Sequence, residues 1–123
     1  MEIMRWENVS KETLAEGVAR RVVWGEHSTL VRFEFAKGMH ATAHLHPAEQ
    51  HTWVMSGALR IATGGRDWTV RAGEMLLIPG NTQHEVWATE DSVVLCFFAP
   101  ARHDWKTEDG GSHYLTGGSK VRK

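Results

Sequence analysis

Between residues 18 and 99, short turn-forming segments interrupt the chain about every ten residues, a spacing typical of an all-β sandwich or barrel. The turns are WGE, AKG, SG, GG, AG, PGN and TED. They separate nine segments, most of them rich in β-branched and aromatic residues: ARRVVW, STLVRFEF, MHATAHLH, QHTWVM, ALRIAT, RDWTV, MLLI, QHEVWA and SVVLCFFA. The sequence therefore predicts nine strands and an all-β fold.

Alternation within these segments indicates which strands meet a core. Val31, Phe33 and Phe35 have the opposite parity from Arg32 and Glu34, so this strand has one apolar face. The segment SVVLCFFA, residues 92–99, is apolar at both parities. We expect it to be a central strand with both faces covered.

The two ends of the chain look less like strands. The segment SKETLAEG, residues 10–17, predicts a short helical turn with Ser10 as its N-cap. From Arg102 onward the chain is polar and glycine-rich, so we expect little buried apolar area there and a mobile tail over residues 106–123. We expect a single domain over residues 1–123, with its barrel at approximately 18–100.

Composition argues against several classes of partner. The chain has 14 Lys and Arg residues against 15 Asp and Glu residues, which are mixed along its length, so a nucleic acid or an anionic membrane is not expected to bind. No apolar run approaches the roughly 20 residues that cross a bilayer, and the N-terminal residues lack the pattern of a secretory signal. Cys96 is the only cysteine and cannot form an internal disulfide. We therefore expect a cytoplasmic protein.

Histidines concentrate in the segment HATAHLHPAEQH. Strand alternation places His40, His44 and His46 on one face. Such a polar face is often simply the solvent side of a strand, but solvent faces normally carry Lys, Glu, Thr and Ser. Imidazoles at i and i+2 instead bring two nitrogen donors close enough to share one metal ion. On the same parity, His40 is either a residue that lines the pocket and contacts substrate or a solvated histidine.

Two proline turns bring further donors toward this pair. Pro47 should end the strand after His46, which allows Gln50 to turn its side-chain carbonyl back to the same centre. The segment IPGNTQHEVW supplies His84 after a second proline turn. The alternative for Gln50 is a polar residue that is hydrogen-bonded at the start of a strand. His51 has the opposite parity and is expected on the outside.

The spacing of these residues resembles the two sequence motifs of the cupin superfamily. The first motif, with an acid at its third ligand position, is matched at Gly38, His44, His46, Gln50 and Gly57, so a glutamine replaces the acid. The second is matched at Gly73, Pro79 and His84, with Asn81 in place of a glycine and Ala88 in place of an asparagine. Asn is tolerable at position 81 because it accepts left-handed turn geometry.

This resemblance implies a fold and a cofactor. The fold is a cupin: a small antiparallel β-barrel, also called a double-stranded β-helix and similar to a jelly roll. The cofactor is one divalent transition metal, for which nickel, zinc, iron and manganese are candidates. The implied ligands are His44, His46, Gln50 and His84.

The end of the second motif and the segment after it resemble the small single-domain cupins of pectin and alginate breakdown, which open 4,5-unsaturated uronates to linear keto sugars. Their closing segment, D-x-F-S-P-P-R-x-D, is matched at Phe98, Pro100, Arg102 and Asp104, whereas Cys96 replaces the first acid. The resemblance implies catalytic positions at Arg102 and Cys96 and substrate contacts from Arg102 and Phe98. Arg102 suits a substrate carboxylate, or else it is a surface arginine at a strand end. The thiol of Cys96 is a poor substitute for a carboxylate base.

We therefore expect a metal-binding cupin that is an enzyme of the isomerase or lyase type. It would use Lewis-acid chemistry on a small oxygen-rich molecule such as an unsaturated uronate or a sugar acid. The neutral Gln50 favours this chemistry over oxygen activation, because it leaves the ion its full double positive charge. Two alternatives stay open: a metal-dependent dioxygenase of the same fold, and a non-catalytic cupin that binds a small ligand.

A homodimer is expected from apolar residues near the N-terminus. Trp6 and Trp24 are candidates for an exposed apolar surface, and a partly open barrel leaves edge strands unpaired. Trp53 is a candidate for the same surface or for the gap between the sheets. The alternative is that these tryptophans are core residues of a monomer.

Overall fold

A computed structural model describes residues 1–106 and Leu115. Within this part of the chain there are ten strands: β1 Lys11–Ala15, β2 Val18–Trp24, β3 Thr29–Phe35, β4 His40–His44, β5 Glu49–Ser56, β6 Ala58–Thr63, β7 Arg66–Arg71, β8 Met75–Ile78, β9 His84–Ala88 and β10 Ser92–Ala99. Short 3-10 turns occur at Trp6–Asn8 and His103–Trp105. All nine strands that the turn spacing predicted are confirmed.

The strands form two antiparallel sheets. The large sheet has the order β1-β2-β3-β10-β5-β8, and the small sheet has the order β4-β9-β6-β7. Val31, Val54 and Val94 of the large sheet and Leu59 and Ile61 of the small sheet belong to one buried cluster. The inner faces of the two sheets therefore share a single core, as the alternation in the sequence indicated.

The helical turn expected at residues 10–17 is wrong. Residues Lys11–Ala15 form strand β1, which pairs antiparallel with β2 and places Leu14 and Ala15 in the core. A single turn of helix is held by few hydrogen bonds, whereas a strand at the sheet edge gains a ladder and buries apolar side chains. Long-range pairing outweighs the local capping preference here.

Strand β4 contains an irregularity that determines the direction of its histidines. Ala41 pairs with Val86 and His44 pairs with His84, so β4 uses one more residue than β9 over this interval. Such a bulge inverts the alternation of side chains. Before the bulge Ala41 is buried, and after it His46 is buried. The prediction that His40 shares a face with His44 and His46 fails for this reason.

The loop between β8 and β9 is held against the turn that follows β4. Asn81 N–H donates a 2.7 Å hydrogen bond to the carbonyl of His46. At Gly80 a side chain could not fit, because a Cβ atom would lie 2.3 Å from the carbonyl oxygen of Pro47. Asn81 has a φ of 58°, the left-handed geometry expected when Asn replaces glycine. These contacts bring the start of β9 beside His46.

Two expectations about strand β10 and the tail need correction. Strand β10 is central, between β3 and β5, but its outer face is not fully covered, since Phe97 is 39% exposed. The segment after Arg102 contributes more to the core than its composition suggested, because Trp105 and Leu115 are buried. The mobile tail expected over 106–123 lies, apart from Lys106 and Leu115, outside the described residues.

Candidate metal centre

Three histidines meet at one end of the space between the sheets. His44 ends β4, His46 lies in the turn after it, and His84 opens β9 directly opposite His44 in the ladder. One nitrogen atom from each ring lies within 4.8 Å of the others. Nitrogen atoms that bind one zinc ion each lie about 2 Å from it. The three side chains can therefore converge on a single ion with small adjustments.

Backbone carbonyl groups fix the tautomer of all three rings. The Nδ1 atoms of His44, His46 and His84 lie 2.6 Å, 2.8 Å and 2.9 Å from the carbonyl oxygens of Thr42, Ala48 and Thr82. Since a carbonyl oxygen can only accept, Nδ1 carries the proton in each ring and Nε2 is the unprotonated nitrogen. This is the arrangement that orients imidazole ligands in metal sites.

Gln50 of β5 presents its amide oxygen to the same cluster. Its Nε2 donates to Thr52 Oγ1 over 2.9 Å and to Cys96 Sγ over 3.8 Å, which directs Oε1 away from these groups. Oε1 then lies 3.1 Å from Nε2 of His46. With His46 neutral and protonated on Nδ1, both of these atoms are acceptors, so their approach calls for a positive group between or beside them.

A buried orphan atom gives an independent test of whether a metal fits. Nε2 of His84 is buried and has no hydrogen-bond partner, although buried polar atoms are nearly always satisfied. A divalent cation would be a partner for it, for Nε2 of His46 and for Oε1 of Gln50. The residues present fit a metal with imidazole and amide ligands.

Burial keeps these histidines neutral. Desolvation lowers the pKa of His44 and of His46 from 6.5 to about 4, with the positive charge of Arg102 as a further cause in both. Desolvation also lowers the pKa of His84. A neutral imidazole is the form that binds a metal ion, so the cluster is in its ligating state at neutral pH.

The cavity beside the cluster is mainly apolar. Its volume is about 50 Å³, enough for roughly three to five water molecules. Besides the cluster, the polar residues in its wall are Thr52, Cys96 and Arg102, and the apolar wall includes Phe33, Met39, Ile61, Phe98, Trp105 and Leu115. The described part of the wall contains no carboxylate, so the cavity offers donors and metal ligands to an acceptor-rich ligand.

Arg102 lies in this wall and is not a surface residue. It is 5% exposed, and its Nε and Nη2 donate to the two carboxylate oxygens of Asp104 over 2.9 Å and 2.8 Å. Its guanidinium carbon lies 4.9 Å from the ring centre of Phe98 and 4.5 Å from that of Trp105. The alternative of a solvated arginine at a strand end is excluded.

Phe98 and Cys96 also lie where the sequence placed them, on the inner face of β10. The ring of Phe98 lies edge-on to that of His46, with their centres 5.6 Å apart. Cys96 is 4% exposed, and desolvation raises the pKa of its thiol to about 12. At neutral pH the thiol is protonated.

The structure does not bring His40 to the cavity. His40 lies on the outer face of the small sheet, where its Nε2 contacts a carboxylate oxygen of Glu85 and its ring stacks on Trp87 with centres 5.0 Å apart. The bulge in β4 is the physical reason, and a bulge cannot be read from alternation alone.

Sequence reasoning missed Thr52, Trp105 and Leu115 as members of the site. The parity of β5 could have revealed Thr52, which is two residues after Gln50. Trp105 and Leu115 lie in the segment that composition assigned to a mobile tail, and Leu115 reaches the wall through a bridge to Ala41 of β4. A tertiary contact of this kind leaves no local signal.

Two antiparallel sheets that enclose a cavity with a histidine cluster at one end define a cupin-type barrel with a candidate metal centre. The Cupin domain family matches residues 31–99, and the chain belongs to this family. Among described residues no helix is long and apolar enough to cross a membrane.

Individual relatives give more detail. The chain is 29% identical over 97 residues to the Pectin degradation protein KdgF of Dickeya dadantii (strain 3937), which covers 76% of this chain and 88% of that protein. The structure of KdgF from Halomonas sp. is similar with a TM-score of 0.78 at 25% identity, over 85% of this chain and 97% of that one. An RmlC-like cupin from Shewanella frigidimarina NCIMB 400 shares the fold, with a TM-score of 0.79 at 22% identity over 85% and 96% of the two chains.

Proposed function

We propose that this cupin binds one divalent transition metal through His44, His46, Gln50 and His84. The observation that carries the proposal is the convergence of these acceptor atoms, with Nε2 of His84 buried and unpartnered, on one point of the cavity wall. The donor set of three imidazoles and one amide suits nickel, zinc, iron or manganese.

The proposed activity is the ring opening or isomerisation of a small oxygen-rich acid such as an unsaturated uronate. A bound metal would supply Lewis-acid polarisation of a substrate oxygen. Arg102 would hold the substrate carboxylate with the N–H groups that do not bind Asp104. The ring of Phe98 packs against the guanidinium. Similarity to a pectin degradation protein supports this class of substrate.

The same geometry limits what the protein residues contribute to proton transfer. Cys96 holds its proton at neutral pH and contacts the amide of Gln50. The structure therefore supports Cys96 as a residue that positions Gln50 and does not support it as a base. The neutral ligand set favours Lewis-acid chemistry over the dioxygenase alternative, since the cluster found among the described residues contains no anionic ligand to stabilise a trivalent ion.

One comparison separates the three functional alternatives. Protein loaded with each candidate metal is incubated with 4,5-unsaturated uronates while the enol-ether absorbance is recorded, and oxygen uptake is measured in parallel over a panel of diketones and phenols. Loss of absorbance that disappears in His44→Ala supports ring opening. Oxygen consumption by the iron-loaded protein would transfer the assignment to a dioxygenase, and tight binding without turnover would leave a ligand-binding protein.

We also propose a homodimer, through a surface that includes Trp53 but neither Trp6 nor Trp24. Trp6 is half-buried and Trp24 packs against Trp105 and Lys106, although it is 41% exposed. The larger apolar surface lies on the outer face of the large sheet, which we call the outer patch; its members are Trp53, Met55, Met75, Leu77 and Phe97. It contains no charged residue, and contiguous apolar patches of this kind mark interfaces.

The register of the large sheet makes the outer patch continuous. Phe97 pairs with His51, which pairs with Leu77, and in the next outward-facing row Trp53 pairs with Met75. Strand β10 is apolar on both faces, which is typical of a strand covered on both sides. A second copy placed on the outer patch would provide that cover.

A further inference from the structure

Trp105 lies in the wall of the cavity and packs against the interior strands β3 and β10 of the large sheet. It ends the 3-10 turn that follows β10, is 3% exposed, and packs edge-on against Phe98 and Phe33 with ring centres 5.2 Å and 6.2 Å apart. The guanidinium carbons of Arg20 and Arg102 lie 4.3 Å and 4.5 Å from its ring centre. These contacts hold the indole in one place.

The indole N–H of Trp105 has no acceptor. Over residues 1–106 and 115, two buried side-chain atoms are without a hydrogen-bond partner: Nε2 of His84 and Nε1 of Trp105. Both residues line the same cavity. Nε2 of His84 is an acceptor that the proposed metal would satisfy. Nε1 of Trp105 is a donor on the arginine side, and an acceptor atom of a ligand in the cavity can satisfy it.

Arg102 adds donors beside the indole. Asp104 accepts from two of the five guanidinium N–H groups, through Nε and Nη2. The other three have no acceptor among the described side chains and backbone groups. The Asp104 carboxylate binds Arg102 from outside the cavity wall, and the described wall itself contains no carboxylate. This side of the cavity therefore offers N–H donors and no competing acceptor from an acidic side chain. A ligand carboxylate has the matching charge and two acceptor oxygens.

We infer that the indole N–H of Trp105 binds a carboxylate oxygen of the ligand next to Arg102, and that it makes the site prefer an acid over its neutral ester. The inference rests on the proposed function for the identity of the ligand, an unsaturated uronate. A phenylalanine would keep an aromatic ring between Phe98 and Arg102, so the ring contacts do not require the nitrogen. Trp105 is therefore a specificity-determining residue.

The test observes the indole group directly. The chain has six tryptophans, and Trp105→Phe identifies the indole N–H resonance of Trp105 in ¹⁵N correlation spectra of the full chain, with and without zinc. The probes are 4,5-unsaturated galacturonate, its methyl ester, and acetate, which suits the small cavity. The Trp105 resonance is expected to move downfield and saturate with the acid and with acetate but not with the ester.

Affinity gives the second readout. Trp105→Phe is expected to weaken binding of the acid about tenfold, a loss in the range for a hydrogen bond to a charged group, and to leave binding of the ester unchanged. Trp87→Phe is the matched control, because Trp87 lies on the outer face of the small sheet. Circular dichroism verifies that both variants fold.

The outcomes separate this inference from the proposed function. If acetate shifts the Trp105 resonance but no uronate is bound or converted, the carboxylate site stands and the proposed substrate is wrong. If the uronate is converted while the resonance stays in place and Trp105→Phe binds it with wild-type affinity, the inference is overturned and the function stands. An unmoved resonance with every probe also overturns the inference.

Discussion

Strands β5 and β10 carry the candidate site on one face and the outer patch on the other. The inner face presents Gln50, Thr52, Cys96 and Phe98, all of which are buried. The outer face presents His51, Trp53 and Phe97, all of which are exposed. Adjacent residues thus differ completely in environment, because successive side chains of a strand point to opposite sides. This arrangement predicts that the proposed ligand binding and the proposed self-association can be changed separately by substitutions one residue apart.

The outer face of the small sheet shows how this protein covers an aromatic surface by itself. On that face the guanidinium carbon of Arg60 lies 4.2 Å from the ring centre of Trp87. On the edge strand β7, Arg66 covers Trp68 at the same distance, on the face that Trp68 shares with Ile61. Such cation–π contacts shield a ring while leaving a charge in water. None of the cation–π contacts found among the described residues covers Trp53 or Phe97. This contrast supports the outer patch as an interface.

The largest effect should come from removing a histidine that faces the cavity from the small sheet. His84→Ala should weaken metal binding by more than about 100-fold, since changes in groups that merely orient a ligand already cost 10–100-fold. Isothermal titration with zinc and elemental analysis of the purified protein measure this effect. His51→Ala, on the outer face beside Gln50, should leave metal affinity unchanged. Equal metal affinity in both variants would show that His84 is not a metal ligand.

The next largest effect should come from a charge in the outer patch. Phe97→Glu brings two carboxylates together in a face-to-face dimer, so sedimentation should show the mass falling from twice 13.9 kDa to 13.9 kDa. Metal affinity should not change, because Phe97 points away from the cavity. Thr69→Glu places the same charge on the outer face of the small sheet and should leave the dimer intact. A wild-type protein that sediments at 13.9 kDa would refute the dimer itself.

The inner side of this comparison could be predicted from the sequence better than the outer side. His44, His46, Gln50 and His84 could be brought together because each lies at a fixed position of a cupin motif, and the strands could be assigned because turn residues leave a local signal. Of the outer patch, only Trp53 was expected at an interface. The bulge in β4 could not be seen, and it turned His40 outward. Strand β1 and the buried positions of Trp105 and Leu115 depend on pairing and packing with distant residues, which override local composition.

A smaller effect is expected when the neutral ligand of the inner face is given a charge. Gln50→Glu should tighten binding of a divalent metal about tenfold, which corresponds to about 1.4 kcal/mol, because a carboxylate adds attraction to the cation. The metal-free variant should be less stable than the wild type, since the new charge is buried without a cation. Thermal unfolding with and without zinc measures both changes. Glu49→Gln, at the neighbouring exposed position, should alter neither the metal affinity nor the stability of the metal-free protein. Unchanged metal affinity in Gln50→Glu would indicate that Gln50 is not a ligand.

The smallest effect is expected at Cys96, the position at which the resemblance of the closing segment implies an acid. Burial raises the pKa of this thiol to about 12, so it is protonated from neutral pH to well above pH 9 and cannot accept a proton during turnover. Loss of a general acid or base typically costs about 10²–10⁴-fold in rate. Cys96→Ala should instead leave the rate of uronate ring opening nearly unchanged and produce the same pH–rate profile. The side chain of Gln50 should be held slightly less firmly in place, because its amide loses its contact with the sulfur. Steady-state rates of both proteins between pH 6 and pH 10 provide the measurement, under saturating metal so that a change in affinity does not enter. A fall of 100-fold, or the loss of one limb of the profile, would instead show that the thiol takes part in proton transfer and that the inner face of β10 supplies a catalytic group as well as packing.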